Sequence, residues 1–297
     1  MITDLFNTNL WAQAWNEDLT TSVNKMKQAG IDRTRSFDNR ADSFNKQVFS
    51  EEGRQRARRI TQWLTGQGVA FKDNTILDIG AASGGFTVPF AEEGGRVTAV
   101  EPNLPLAKLL KKNTKDITNG NVEVVVEDFE EIDVAERGWE QAFDLVFVSM
   151  CPVIADWDSV EKVLSCARRF CYISSVAGAR EHSLLNEVWP LLTERVREPE
   201  MSEMFYLTNL LYLKGYSFQS LVTREMKTAV LTRDAALKEV MDMVRLYQLP
   251  ADEQAKRIIA DYLEQTYVDD KVAVHQGGRF GKVLIQLEDQ KMYGGER

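Results

Sequence analysis

The chain has 297 residues, 44% hydrophobic and 27% charged, an ordinary globular composition with length for one large domain or two modest ones. A formal net charge of -9 argues against long nucleic-acid backbones as partners, because neutralising phosphates requires a basic face. The N-terminus shows no basic leader or apolar signal core, and the longest apolar run, Phe143–Ala155, is too short for a bilayer, so a cytoplasmic protein away from membranes is expected.

Residues 1–30 read as helical, with Trp11 and Trp15 on one face. A second helix is predicted over 36–48, with Phe37, Ala41 and Phe44 as its apolar stripe. A third follows over 51–66, with Ile60, Trp63 and Leu64 on one side and Arg54, Arg56, Arg58 and Arg59 mostly on the other. From Asn74 the pattern alternates. Strands are expected at Thr75–Ile79, Arg96–Val100, Val122–Val126, Phe143–Met150 and Phe170–Val176, with helices at Phe86–Glu93, Leu104–Thr118 and Asp158–Arg168. This order predicts an α/β fold, a doubly wound and mainly parallel seven-stranded sheet with helices on both faces.

The last third departs from that rhythm. Residues 181–214 read as largely helical, Phe218–Thr223 as a strand, Asp234–Gln248 and Ala251–Thr266 as amphipathic helices, and Gly281–Leu287 as the final strand. The expected organisation is one integrated catalytic unit. Residues 1–70 cover the ligand side, 71–180 form the binding core, and 181–297 complete the sheet with an inserted helical pair that caps the site or forms a homodimer face. Cys151, Cys166 and Cys171 lack metal-site spacing and read as reduced core thiols, with no metal expected.

The central signal is Leu77-Asp78-Ile79-Gly80-Ala81-Ala82-Ser83-Gly84-Gly85, where the first strand hands over to a helix. Small residues there let a ligand approach the backbone closely. The spacing departs from the G-x-G-x-x-G of dinucleotide sites, and Asp78 suits an ammonium or sulfonium better than a pyrophosphate. Glu101 ends the second strand, 23 residues after Asp78, where a carboxylate can accept both hydroxyls of a ribose. Asp128 and Phe129 follow the third strand, where an acid can accept an exocyclic amine and a ring can stack on a base. Singly, each acid also has an ordinary use: Asp78 as a helix cap, Glu101 and Asp128 as turn residues. Their coincidence at the ends of successive strands favours a ligand site.

L-D-I-G-A-A-S-G-G, then A-V-E-P-N, then E-D-F, in that order over residues 75–176, resembles the class I S-adenosylmethionine-dependent methyltransferases, in the style of those acting on small molecules. The resemblance implies S-adenosyl-L-methionine as cofactor. It implies that Asp78, Gly80, Ala81, Ser83 and Gly84 hold the methionine part, that Glu101 and Pro102 meet the ribose, and that Asp128 and Phe129 meet adenine. Ser149 and Met150, ending the fourth strand beside the expected acceptor site, are further cofactor-binding candidates. Phe37-Asp38-x-x-Ala41-x-x-Phe44 resembles the helix that lies over the cofactor in many such enzymes.

The sequence has neither the Asn/Asp-Pro-Pro-aromatic motif of base-amine methyltransferases nor the Pro-Cys dipeptide of cytosine C5 enzymes. With the acidic balance, this favours a small-molecule acceptor. Candidate catalytic groups are His182, after the fifth strand, and Tyr206 with Asn209 on one helical ridge. Alternatives are an RNA or protein methyltransferase of the same fold, a nicotinamide-dependent oxidoreductase, and a module that binds the cofactor without turnover.

Overall fold

A computed structural model describes residues 2–197 and 202–288. After a 3₁₀ turn at Ile2–Phe6 come α1 (Thr8–Glu17), α2 (Ser22–Gln28), α3 (Ala41–Val48) and α4 (Glu51–Gly66). The core alternates through β1 (Thr75–Ile79), α5 (Thr87–Glu92), β2 (Arg96–Val100), α6 (Leu104–Thr114), β3 (Asn121–Val125), β4 (Phe143–Ser149), α7 (Trp157–Cys166) and β5 (Ala167–Val176). The remainder comprises β6 (Glu181–His182), α8 (Ser183–Leu192), α9 (Glu203–Leu213), β7 (Ser217–Leu231), α10 (Arg233–Leu246), α11 (Glu253–Thr266) and β8 (Val272–Gln286).

The sheet runs β3-β2-β1-β4-β5-β8-β6, with β7 on the other side of β8. The first five strands are parallel and β8 is antiparallel to β5, β6 and β7. This is the expected doubly wound sheet, with the two-residue β6 as an eighth strand. Strand order reverses between β1 and β4, so a crevice opens at their carboxyl ends.

Helix boundaries follow local chemistry. Ser50 caps α4, its side chain accepting from the Gly53 N–H; Asn103 caps α6 through Leu106; Asp156 and Ser159 form a reciprocal capping box on α7. Ala57, Ile60 and Leu64 of α4 are buried on one stripe, and Ile60 and Leu64 pack with Phe147, Tyr172 and Leu284 on one sheet face. The opposite face packs α7 and α9 against Val146, Val148, Ile173 and Ile285. A separate core joins α8, α10 and α11 around Val188, Val240, Val244 and Ile259.

Several sequence expectations need correction. Residues 2–28 form a 3₁₀ turn and two helices, because Asp18 accepts from Thr20 and breaks the chain between α1 and α2. The helix expected from 36 starts at Ala41; residues 33–40 form turns in which Asp32 and Ser36 bond their own backbone neighbours. The described residues of the stretch 181–214 are largely helical as expected, with β6 opening the stretch ahead of α8 and α9.

The largest departure is at the end of the sheet. β7 and β8 each span 15 residues and pair throughout, from Ser217↔Gln286 to Leu231↔Val272. Only Phe280–Gln286 of β8 also pairs with β5, so the distal halves of both strands project beyond the sheet and carry α10 and α11. Gly277 permits that close pairing, since a Cβ there would lie 2.0 Å from the Glu225 carbonyl oxygen. No helix among the described residues is long and apolar enough to cross a membrane.

Candidate active site

The turn after β1 is built by backbone bonds across the crevice. The N–H groups of Gly80 and Ala81 donate to the Val100 carbonyl at 2.9 and 3.0 Å. Gly80 is left-handed (φ 73°), and a Cβ on it would stand 2.5 Å from Cys151 Sγ, so only glycine fits between β1 and the chain leaving β4. Ala82 is also left-handed (φ 49°), a conformation costing an alanine about 1–2 kcal/mol. Its N–H donates to Glu101 Oε2 at 2.8 Å, which anchors it.

Glu101 Oε1 accepts from the Asn103 N–H, also at 2.8 Å. Each oxygen thus makes one backbone bond and keeps a lone pair for a ligand hydroxyl. Asp78 accepts from Thr87 Oγ1 at 2.6 Å. Both carboxylates are buried. Burial, augmented by the Glu101 charge, pushes the Asp78 carboxyl up to about 7 against the opposing Thr87 bond. Burial also raises Glu101, with Asp128 adding to the rise. Among the described residues, no cation forms an ion pair with Asp78 or Glu101. Half-buried Asp128 follows β3, accepting from the Glu130 N–H, and buried Phe129 adjoins it beneath Lys162.

The segment before α3 closes one side. Asn103 Nδ2 donates to the Thr34 carbonyl at 2.8 Å and to Asp38 Oδ1 at 2.7 Å. Arg33 donates to the Pro152 carbonyl at 2.9 Å and pairs with Glu130 at 2.6 Å. Phe37 and Phe44 pack edge to face, 4.8 Å between centroids, and both line the cleft. The cleft has a volume of about 710 Å³, within the usual range for small-molecule sites.

Of the residues singled out in the sequence, the cleft gathers Asp78, Gly80, Ala81, Glu101, Pro102, Asp128, Phe129, Ser149 and Met150. Ser83 and Gly84 stand behind it. Ser83 is fully buried with its carbonyl accepting from Asn113, and a Cβ on Gly84 would meet Leu110 at 2.8 Å.

The three candidate catalytic residues lie off the cleft wall. His182 Nδ1 accepts from the Leu185 N–H and caps α8, while Nε2 lies 3.1 Å from Glu239. Tyr206 donates to Asp18 at 2.8 Å and stacks on Trp15. Asn209 donates back to the Phe205 carbonyl within α9. All three are occupied in holding the fold.

Sequence reasoning missed Asn103, although the A-V-E-P-N run contains it, and Arg33, which no motif marks. It also missed Glu203, a buried cleft-lining carboxylate whose Oε1 accepts from the Val23 N–H at 3.2 Å and whose acidity burial weakens. Cys151, beside Gly80, has its thiol pushed up to about 12 by burial, with Glu101 and Asp78 adding, so it stays protonated.

Residues 76–172, β1 through most of β5, match the family model of a methyltransferase domain. That segment is similar to a methyltransferase domain. No curated protein matches the chain. Solved structures similar to it include magnesium protoporphyrin IX methyltransferase from Synechocystis PCC 6803 with bound SAM, at 12% identity and TM-score 0.45, covering 65% of this chain and 87% of that one. Others are phosphoethanolamine N-methyltransferase 2 of Haemonchus contortus, at 15% identity and TM-score 0.48, covering 90% and 60%, and YcgJ of Bacillus subtilis, at 12% and 0.47, covering 77% and 98%. The matched segment includes Asp78, Glu101 and Asp128, the acids at the tips of three neighbouring strands.

Proposed function

We propose that the protein is an S-adenosylmethionine-dependent methyltransferase acting on a small molecule. The observation that carries this reading is the pair of buried carboxylates, Asp78 and Glu101, flanking a turn that only small residues can form. Unpaired buried acids repel one another, and a ligand bearing an ammonium and a sulfonium relieves that repulsion. A pyrophosphate would aggravate it, which counts against a nicotinamide cofactor.

Residue roles follow from position. Asp78 holds the ammonium end, Glu101 accepts from the ribose hydroxyls, and Asp128 with Phe129 borders the base. Ser149 and Met150, at the tip of β4, border the transfer site. The bound cofactor supplies an already activated methyl group. The chain's part is to orient donor and acceptor in line and exclude water. The segment 33–44, tied down by Asn103 and Arg33, supports that exclusion and an acceptor small enough to be enclosed.

The test is incubation with methyl-labelled S-adenosylmethionine and a cell extract divided into metabolite, protein and RNA fractions. Label in the metabolite fraction supports the reading. Label confined to protein or RNA overturns the small-molecule assignment, and no label in any fraction favours a binding module without turnover.

A further inference from the structure

Past the tips of β1–β3 the cleft continues across β4, β5 and β8, where its chemistry changes. Ser149, Ser174 and Lys282 are register partners, so their side chains share one face of the sheet. Two residues earlier on β4 and β5, and two later on antiparallel β8, that face carries Phe147, Tyr172 and Leu284, the apolar row packed under α4. The helix changes in step. Leu64 and Ile60 lie over the apolar row, and Arg56, one further turn back on the same stripe, lines the cleft with the polar row.

Lys282 is buried, yet its ammonium is only partly occupied. It donates to Thr223 Oγ1 at 2.7 Å and lies 3.2 Å from Glu225, leaving one donor. Ser149 and Ser174 hydroxyls lie 3.1 Å apart. Arg56, Arg59 and Lys227 also line this wall, and none makes an ion pair among the described residues. The carboxylates lining the cleft here are Glu225, engaged by Lys282 and within reach of the Arg56 charge, and Glu52, with buried Glu203 of α9 lining the cleft as well. A chain of net charge -9 thus gathers Arg56, Arg59, Lys227 and Lys282 at the far end of one cleft, more cations than the carboxylates beside them, opposite the acids of the strand tips.

We propose that this wall is the acceptor subsite and that the methyl acceptor carries an anionic group, a carboxylate or a phosphate, held between Arg56 and Lys282. The inference rests on the methyltransferase reading for the identity of the neighbouring ligand. β8 lies two strands from β4, roughly 10 Å at the usual strand spacing. The anionic group is therefore separated from the methylated atom by several bonds. Arginine suits the task because its planar fork meets either oxyanion with two hydrogen bonds.

The test uses intact protein saturated with S-adenosylhomocysteine and three matched probes, 3-phenylpropionate, phenyl phosphate and neutral 3-phenylpropionamide, with binding followed by NMR titration. At least one anion is expected to bind about tenfold or more tighter than the amide, and the tighter anion identifies the natural group. Arg56→Ala and Lys282→Met should each remove most of that preference while leaving S-adenosylhomocysteine affinity unchanged. Arg54→Ala, off the cleft, should keep it. Because Lys282→Met also strands Glu225, the exposed Arg56 variant decides the matter if the other fails to fold. Equal binding of amide and anions, or full retention of the preference in Arg56→Ala, overturns the proposal. Failure of S-adenosylhomocysteine to bind would instead overturn the cofactor reading, and anion selectivity would still be read on the ligand-free protein.

Discussion

The Asp78 and Glu101 carboxylates end adjacent parallel strands, both are buried, and the charge on Glu101 raises the pKa of Asp78. Two neighbouring acids without a countercharge are unfavourable for folding alone. They are explained if the fold is completed by a cationic ligand.

That relationship has opposite consequences for stability and for binding. The folded-state pKa of Asp78, about 7, lies above its ordinary 3.8. The stability this proton brings to the ligand-free protein is therefore complete below pH 3.8 and lost as pH rises through about 7. Binding of a cationic cofactor needs the ionised form, so affinity rises over the same upper range, by about tenfold between pH 6 and pH 8. Calorimetry at both pH values checks this, and Asp78→Asn should flatten the dependence while raising the apo melting temperature at pH 8.

Glu101→Gln is nearly isosteric but should behave as a disruptive change. Both carboxylate oxygens accept from backbone N–H groups, those of Ala82 and Asn103. A glutamine amide would set its own donor against one of them, at a cost of about 1–3 kcal/mol. Denaturant unfolding should show that loss, with at least tenfold weaker cofactor binding.

Asn103 joins three pieces of the fold by capping α6 and donating to Thr34 and Asp38. Asn103→Ala should destabilise the protein by about 1–2 kcal/mol. Hydrogen exchange should quicken over residues 33–40, and S-adenosylhomocysteine should dissociate faster. Unchanged exchange there would show that this segment is held by other contacts.

His182→Ala and Tyr206→Phe should each lower stability by about 1 kcal/mol through loss of a cap and of a hydrogen bond. Turnover of the folded protein should be unaffected. A large fall in kcat with intact stability in either variant would return that residue to the active site.

The sequence made β1 through β5 legible because each strand is a short apolar run bounded by turn residues, and because Asp78, Glu101 and Asp128 recur at the same structural position. β7 and β8 were half hidden. Their distal residues, such as Arg224–Thr228 and His275–Arg279, lie largely on exposed projecting arms and lack the apolar alternation of a packed strand. Gly277 and Gly278 precede the strand expected from Gly281, whereas both lie within β8, where the Glu225 backbone presses on Gly277. The catalytic candidates lie off the cleft for a related reason. A histidine and a tyrosine near the right strand advertise chemistry in one dimension, but Leu185, Glu239 and Asp18, which occupy them, come from local caps and distant segments. Arg56 was visible only as one of several arginines on a helix; its place on the Ile60–Leu64 stripe gained meaning once the sheet row beneath it was known.

The most direct measurement is calorimetric titration of the purified protein with S-adenosylhomocysteine and, separately, with NADH. The account predicts saturable one-site binding of S-adenosylhomocysteine, weakened at least tenfold by Asp78→Asn or Glu101→Gln, and no binding of NADH. Saturable NADH binding without any response to S-adenosylhomocysteine would contradict it.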